Sequence, residues 1–331
     1  MEHPFTTFTN ILRQQVIEPI EYAVQSFDPE QPNYNPPLQQ ALYSKKLVPV
    51  ADRTTKREAK LVKSLPNEFL KGNSTIESAD ELRYFSNISS IGYECFHACS
   101  NLVSISLPDS ITTFHSSGGQ FLYCINLREI SLPTNLTAIT PRCFEDCRML
   151  SHVDIGENTI EILGSPFEGC AKLGNIRIPK NMSSISNSAF GFASIAGLTR
   201  VDVDIENEYY SSDEQGALYD KKNKYLMLYP KLSENTEYTI ANGTGAILNY
   251  AFRGNAYLTK LVIPSTMTHI RRQAMAYMNS IQTLVCHATS VPYVYDTLPY
   301  SAVLYVPSQS VDLYKNDSNW KYFKEILPIE E

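Results

Sequence analysis

The segment Cys143-Phe144-Glu145-Asp146-Cys147-Arg148-Met149-Leu150-Ser151-His152-Val153-Asp154-Ile155-Gly156 decides how this chain is built, because its apolar residues recur elsewhere at a fixed distance. Phenylalanine stands at Phe96, Phe121, Phe144, Phe167 and Phe190, with gaps of 25, 23, 23 and 23 residues. Three residues after the first four stand Cys99, Cys124, Cys147 and Cys170, and three further on Leu102, Leu127, Leu150 and Leu173. Ile105, Ile130, Val153 and Ile176 come next, then Leu107, Leu132, Ile155 and Ile178. Pro108, Pro133 and Pro179 close three copies, and Gly156 closes the other. So many columns in consecutive copies define an internal repeat, the signature of a stacked architecture.

The pattern resumes at Phe252, Leu258, Leu261, Ile263 and Pro264, and a weaker copy places Met275, Met278 and Ile281 in the Phe, Cys and Leu columns. Phe190 and Phe252 are 62 residues apart, one period of 23 with about 39 added. The expected count is about seven turns, one of them carrying an insertion near 204–243.

The alternation in Leu-x-x-Ile-x-Leu-Pro is that of a half-buried strand. The proline ends it, because it cannot donate to a ladder. The segment around Cys143-Phe144-Glu145-Asp146-Cys147 is too short for a long helix, and one helical or 3₁₀ turn fits it, with Phe and Cys inward. A single turn cannot bury this apolar edge; stacked copies bury it against each other. The cysteines at 99, 124, 147 and 170 then form one interior column, where free Cys behaves as a small apolar residue. A total of seven cysteines argues against a disulfide framework. A zinc site would need closer Cys pairs or an accompanying His pair, so no metal is expected.

The columns resemble the BspA-like leucine-rich repeats, a bacterial surface type. Ser184-Ile185-Ser186-Asn187-Ser188-Ala189-Phe190 and Leu248-Asn249-Tyr250-Ala251-Phe252-Arg253-Gly254 match its repeat. The lead-in Glu81-Leu82-Arg83-Tyr84-Phe85 and the exit Leu304-Tyr305-Val306-Pro307, with Tyr314 and Trp320 beyond, look like the family's entry and closing segments. Gly216-Ala217-Leu218-Tyr219-Asp220 and Leu228-Tyr229-Pro230 look like family insertions. The resemblance covers roughly residues 75–331. It implies an α+β repeat protein: a β-rich, right-handed leucine-rich-repeat solenoid with short helical turns and an N-terminal helical cap. It also implies a cell-surface or secreted protein that adheres to host matrix proteins or other cells. No adhesive motif carries over residue by residue, and fold analogy alone does not fix function.

The expected organisation is an N-terminal helical and linker cap region over 1–85, then the solenoid over 86–331 with a closing unit at 290–331. Residues 1–27 read as a helix interrupted at Pro19, residues 28–40 hold four prolines and read as a linker or extended arm, and residues 53–64 suggest a second helix. Asp52-Arg53-Thr54-Thr55-Lys56-Arg57-Glu58 lacks the alternating oxygens that Ca²⁺ needs, so no calcium is expected there. The insertion reads as a β-hairpin turning at Lys221-Lys222-Asn223. It is rich in tyrosine, and Tyr209, Tyr210 and Tyr219 are candidates to touch a partner; covering the side of the solenoid is the alternative role.

The formal net charge is −7 and no basic stripe exists, so nucleic acid is not an expected partner. No run of 18 apolar residues spans a membrane. Met1-Glu2-His3-Pro4-Phe5 has neither the basic start nor the apolar run of a signal peptide, which leaves a secreted and a cytoplasmic location both open. Six scattered histidines form no metal or protease motif, no Gly-x-Ser-x-Gly elbow occurs, and Gly118-Gly119 lacks the rest of a phosphate loop. That glycine pair is expected to absorb the two extra residues of its copy. The remaining catalytic route is a Cys–His dyad formed in space, for instance at Cys286-His287. No cofactor is expected.

A binding surface is expected where strand residues between the apolar columns face outward. They are Ser104 and Ser106, Glu129 and Ser131, His152 and Asp154, Asn175 and Arg177, Arg200 and Asp202, Lys260 and Val262, and Thr283 and Val285. The mixed charges of His152, Asp154, Arg177, Arg200, Asp202 and Lys260 would suit a polar protein or glycan partner; plain solvation of the sheet face is the alternative. Three functions follow in order: a non-catalytic adhesin-like binder, a structural module of an envelope or phage assembly attached through residues 1–50, and an enzyme on the scaffold.

Overall fold

The computed structural model describes residues 36–49, 54–187 and 195–330. The helix expected over 1–27, most of the proline-rich arm, Asp52 and Arg53 of the lead-in loop, and the copy at Ala189-Phe190 lie outside them.

The chain forms a stack of parallel rungs. Eleven short strands occupy the Ile column among the described residues, from Ser78–Ala79 to Glu325–Pro328. They fall into four ladders, within which neighbours pair in parallel and in one-to-one register: Ile130 faces Val153, Ile176 faces Val201, and Leu261 faces Leu284. The inward residues of all eleven are buried, whereas their strand neighbours are exposed or half-buried. Eleven exceeds the seven expected, and the reason is substitution within the columns. In the first turn Leu70, Asn73, Ile76 and Ala79 stand where Phe, Cys, Leu and Ile were sought. In the insertion Tyr229 stacks on Phe252, ring centroids 5.2 Å apart. The last rungs carry no Phe-x-x-Cys at all.

A second column of short strands runs alongside the first. Its inward residues include Leu65, Ile91, Ile139, Ile162, Ile185, Ile247, Ile270 and Val294, again paired in parallel. The residue before each is mostly Ser, Thr, Ala or Glu, so these two-residue strands have too little alternation to be read as strands in isolation.

The Phe segments are not helical. Helices and 3₁₀ turns among the described residues lie near the two ends, outside the Phe segments. Each Phe segment is a run of turns whose alternate amides donate to the next copy: Phe121 N to Cys143 O (2.8 Å), Tyr123 N to Glu145 O (2.9 Å), Phe144 N to Pro166 O (2.8 Å) and Asp146 N to Glu168 O (2.6 Å). A helix would spend those amides internally, within its own copy. Left-handed residues flank the Phe position in most copies. Position −2 is left-handed at Glu94, Gly119, Arg142, Tyr250 and Gln273, and position +2 at Ala98, Tyr123, Asp146, Gly169, Gly254 and Tyr277. For non-glycine residues this backbone costs roughly 1–2 kcal/mol each, which the inter-turn hydrogen bonds and ring packing offset.

The interior is filled by the expected columns. Phe96, Phe121, Phe144 and Phe167 stack nearly parallel, with centroid separations of 5.2, 5.3 and 5.8 Å. The thiols of Cys99, Cys124, Cys147 and Cys170 each donate to a carbonyl of the preceding turn, those of Leu70, Phe96, Phe121 and Phe144, at 3.0–3.1 Å. All seven cysteines are free and buried. Asn255 takes the Cys position beside Phe252 and does the same work with an amide, donating to the carbonyls of Pro230 and Lys231.

Residues of the N-terminal region join this interior. Pro36–Ser44 is an α-helix, whose first five residues were expected to belong to a linker or extended arm over 28–40. Pro36 and Pro37 sit at its start, where the missing N–H has no intrahelical partner to lose. Leu38, Leu42, Ala59 and Val62 belong to the same core as the first repeats. The second helix is shorter than expected, Lys56–Ala59. Thr55 and Glu58 form a capping box there, each side chain receiving the other's amide at 3.2 and 2.7 Å. At the far end Trp320 is fully buried, donates to Pro292 O at 2.9 Å and meets Tyr314 edge to face.

The insertion is the hairpin expected, extended to three strands. Tyr210–Ser212 pairs antiparallel with Leu218–Asp220, which pairs antiparallel with Tyr225–Leu228. The last strand rejoins the second column by pairing in parallel with Ala246–Ile247. Both faces of this meander are covered. Leu218, Met227 and Leu228 belong to the core of the earlier turns, and Tyr219, Leu226 and Tyr229 to that of the later ones. The meander is thus a septum between two cores.

Candidate binding surface

The interior offers no exposed reactive group. Burial pushes the thiols of Cys95, Cys124, Cys143 and Cys147 well above their usual range and that of Cys170 up to about 12. A thiol so buried is a packing group and a poor nucleophile. Cys286 ends its strand and His287 follows it: the thiol points inward to the Tyr314 hydroxyl at 3.2 Å, and His287 is exposed, so the pair forms no dyad. Gly118 and Gly119 are both left-handed, and Gly119 N donates to Pro141 O at 2.9 Å, a structural use of the two extra residues. Among the described residues, no group of three or more His, Cys, Asp or Glu is placed to hold a metal ion.

Chemistry open to solvent is therefore on the rung faces. The structure brings His152, Asp154, Arg177, Arg200 and Asp202 onto three successive rungs of the first column, in the register Asn175–Arg200 and Arg177–Asp202. Lys260 lies beyond the insertion and pairs with Glu237 of the preceding rung at 3.0 Å. Most of these charges are engaged. Arg177 bridges Glu157 at 3.1 Å and Asp204 at 3.0 Å, Arg200 pairs with Asp202, and Asn175 also donates to Asp202 at 2.9 Å. The side chains of His152 and Asp154 are exposed and form no hydrogen bond or ion pair among the described residues. Exposed pairs of this kind add little stability, about 0–1 kcal/mol each, so the face can exchange them for a partner's groups.

The three insertion tyrosines divide. Tyr209 is 42% exposed, but Tyr210 and Tyr219 are only 6% and 8% exposed and cannot reach a partner. The Tyr210 hydroxyl accepts the Ile185 amide at 2.9 Å. The Tyr219 hydroxyl bonds the Tyr238 hydroxyl, which donates to Asp213 at 2.6 Å. Their strands are covered on both sides, so alternation offers no solvent face to point toward.

Two features escaped sequence reasoning. One is an aromatic and cationic patch on the second column, where Arg271 aligns with Tyr295 beside the paired Ile270 and Val294. The register of the Ile column would have revealed it. The other is a cluster on the flank of the first turns. The Glu94 carboxylate, nearly buried, receives Lys71 at 2.6 Å and the Tyr93 hydroxyl at 2.6 Å, and His97 Nδ1 lies 3.0 Å away without hydrogen-bond geometry. Burial alone would raise the Glu94 carboxyl, but Lys71, Tyr93 and His97 outweigh it and hold it at about 2, below the ordinary 4.5. A depressed carboxyl contributes stability above its unfolded value and loses it as pH falls through the folded one. Glu94→Gln is thus expected to flatten the acid dependence of unfolding between about pH 4.5 and 2. A variant retaining the parent's full slope in acid titrations of thermal midpoint would contradict this.

A saturated interior of fixed columns with a variable, exposed rung face is the anatomy of a leucine-rich-repeat scaffold. The model for the BspA type leucine rich repeat region matches six copies, over residues 69–196 and 229–297, more than half of the chain. The protein belongs to this family. Among solved structures it is similar to a leucine rich cell surface protein from Faecalibacterium prausnitzii, at 20% identity and a TM-score of 0.59, covering 82% of this chain and 78% of that one. It is also similar to the pneumococcal vaccine antigen PcpA, at 18% identity and a TM-score of 0.46, covering 74% and 78%. A leucine-rich repeat protein from Eubacterium ventriosum matches at 16% identity and a TM-score of 0.43, covering 82% and 74%. No curated protein gives a significant match. No helix among the described residues is long and apolar enough to cross a membrane.

Proposed function

We propose that the protein is a non-catalytic, adhesin-like binding solenoid of a bacterial surface or secreted fraction, and that it captures a protein or glycan partner on its rung faces. One observation carries this reading: the recurring residues of the repeat are spent inside the stack, and the outward positions of the ladder carry side chains that change from rung to rung. The similarity to a leucine rich cell surface protein of Faecalibacterium prausnitzii supports the location. Successive rungs hold outward side chains at the inter-strand spacing of about 4.8 Å, which makes an extended, preorganised contact surface.

The experiment is capture on immobilised host matrix proteins and a glycan array, comparing the parent with the double variant Arg177→Glu, Arg200→Glu. These side chains are exposed and their ion pairs are weak, so the fold is expected to persist while capture weakens about tenfold, the cost of one lost charged contact of about 1.4 kcal/mol. Undiminished capture removes the first-column face as the site. No saturable capture on either panel removes the adhesin reading.

A further inference from the structure

The second column carries a patch with different chemistry from the first. On the first column Arg177 and Arg200 each have a carboxylate partner. Arg271 and Arg272 have none among the described residues, in a chain whose net charge is −7. The Arg271 guanidinium instead lies over the Tyr295 ring at 5.1 Å, donates to its hydroxyl at 3.3 Å, and leaves its buried Nε unmatched. Tyr295 meets Tyr293 edge to face at 4.8 Å, and both rings pack on His269, at 6.4 and 6.1 Å. On the adjoining flank Arg253 lies 5.0 Å over Tyr277 and 5.7 Å over Tyr250, whose amide donates to Arg272 O. Tyr277, Tyr293 and Tyr295 are 65%, 58% and 50% exposed. The nearest acid in sequence, Asp296, has one carboxylate oxygen accepting the Thr297 amide.

Large exposed rings beside Arg271, which has no carboxylate partner among the described residues, are a recognition surface, since Tyr and Arg dominate binding energy where they cluster. The ligand class follows from what the patch offers and lacks. It offers flat ring faces and guanidiniums suited to carboxylates. The amides of its two strand tyrosines are already spent within the sheet, Tyr293 N on Thr268 O at 2.9 Å and Tyr295 N on Ile270 O at 3.0 Å. An extended peptide gains its affinity chiefly by pairing with such donors at a sheet edge. A pyranose ring needs none of them; its C–H face lies on an aromatic ring by dispersion, and a uronic acid places a carboxylate at its rim. We propose that Arg253, Tyr277, His269, Arg271, Tyr293 and Tyr295 form a binding site for an acidic polysaccharide built of uronic acids. This rests on the reading of the protein as a binder and names a ligand for a second face.

The test is calorimetric titration of the full chain with an oligogalacturonate, with its methyl ester and polyglutamate as parallel probes. Saturable binding of the oligogalacturonate is expected, at least about tenfold weaker to the ester. Arg271→Ala and Tyr295→Ala should each weaken it about tenfold, while Tyr295→Phe, which keeps the ring, should retain most of it. Thermal unfolding checks that these exposed substitutions leave the stack intact. No binding, equal binding of the ester, equal binding of polyglutamate, or indifference to both alanine variants overturns the proposal. If the patch variants still capture a matrix protein or a neutral glycan, the binder reading stands without this site; if the parent captures nothing on any probe, both fall.

Discussion

Phe144→Ala is expected to cost about 3–5 kcal/mol, the usual range for emptying a fully buried phenylalanine site. Phe144 is 0% exposed and lies between Phe121 at 5.3 Å and Phe167 at 5.8 Å, both within 4° of parallel. Its removal deletes two ring contacts at once. The site cannot readily collapse, because the backbone on either side is tied to neighbouring turns through Phe144 N to Pro166 O and the Cys170 thiol to Phe144 O. In a repeat protein, turns interact with their neighbours and lose stability locally. Urea unfolding by circular dichroism, with hydrogen exchange at the amides of residues 121–170, should show the loss centred there. A midpoint matching the parent's, or exchange altered equally in both cores, would show that the ring column does not hold the stack.

Gly118→Ala is expected to cost on the order of 3 kcal/mol or more, although it adds one methyl group. Gly118 has a φ of +81°, and a Cβ built there would lie 1.8 Å from Pro141 O. Two penalties add: a left-handed backbone costs an alanine roughly 1–2 kcal/mol, and forcing an atom into filled space costs roughly 1–3 kcal/mol. The obstructing atom is backbone, and the same carbonyl accepts the Gly119 amide, so moving it breaks an inter-turn bond. Gly72→Ala is the matched control: its φ is +74°, with no atom within 4 Å of the added Cβ. It should show the conformational penalty alone, and equal shifts for the two variants in thermal unfolding would refute the steric argument.

What the sequence made legible was the interior. Phe96 to Phe167, the cysteine column and the Leu–Ile pairs are constant because each must fill the same space, and constancy is what a repeat reading detects. The flanking left-handed positions were invisible for the opposite reason. Glu94, Arg142, Tyr250 and Gln273 share a backbone conformation and no chemistry, since neighbouring carbonyls impose it and their own preferences do not. Helical turns were expected there because local spacing was weighed without the bonds to the next copy. The turn count fell short where Leu70, Asn73 and Tyr229 replaced the signature residues while keeping their places. At the surface, Tyr210 and Tyr219 were assigned by composition, and a meander covered on both faces hid them. Arg271 and Tyr295 became neighbours only through the register of His269–Ile270 with Tyr293–Val294.

The septum formed by Tyr210–Ser212, Leu218–Asp220 and Tyr225–Leu228 has a consequence for how such a protein changes length over generations. A plain stack has one continuous core, so a gained or lost copy alters the packing history of everything beyond it. Here one set of side chains faces the earlier copies and a second set faces the later ones. Duplication or deletion of a whole 23-residue unit away from the septum leaves both of its faces undisturbed. The two blocks are thereby free to drift in copy number separately, each carrying its own outer surface with it.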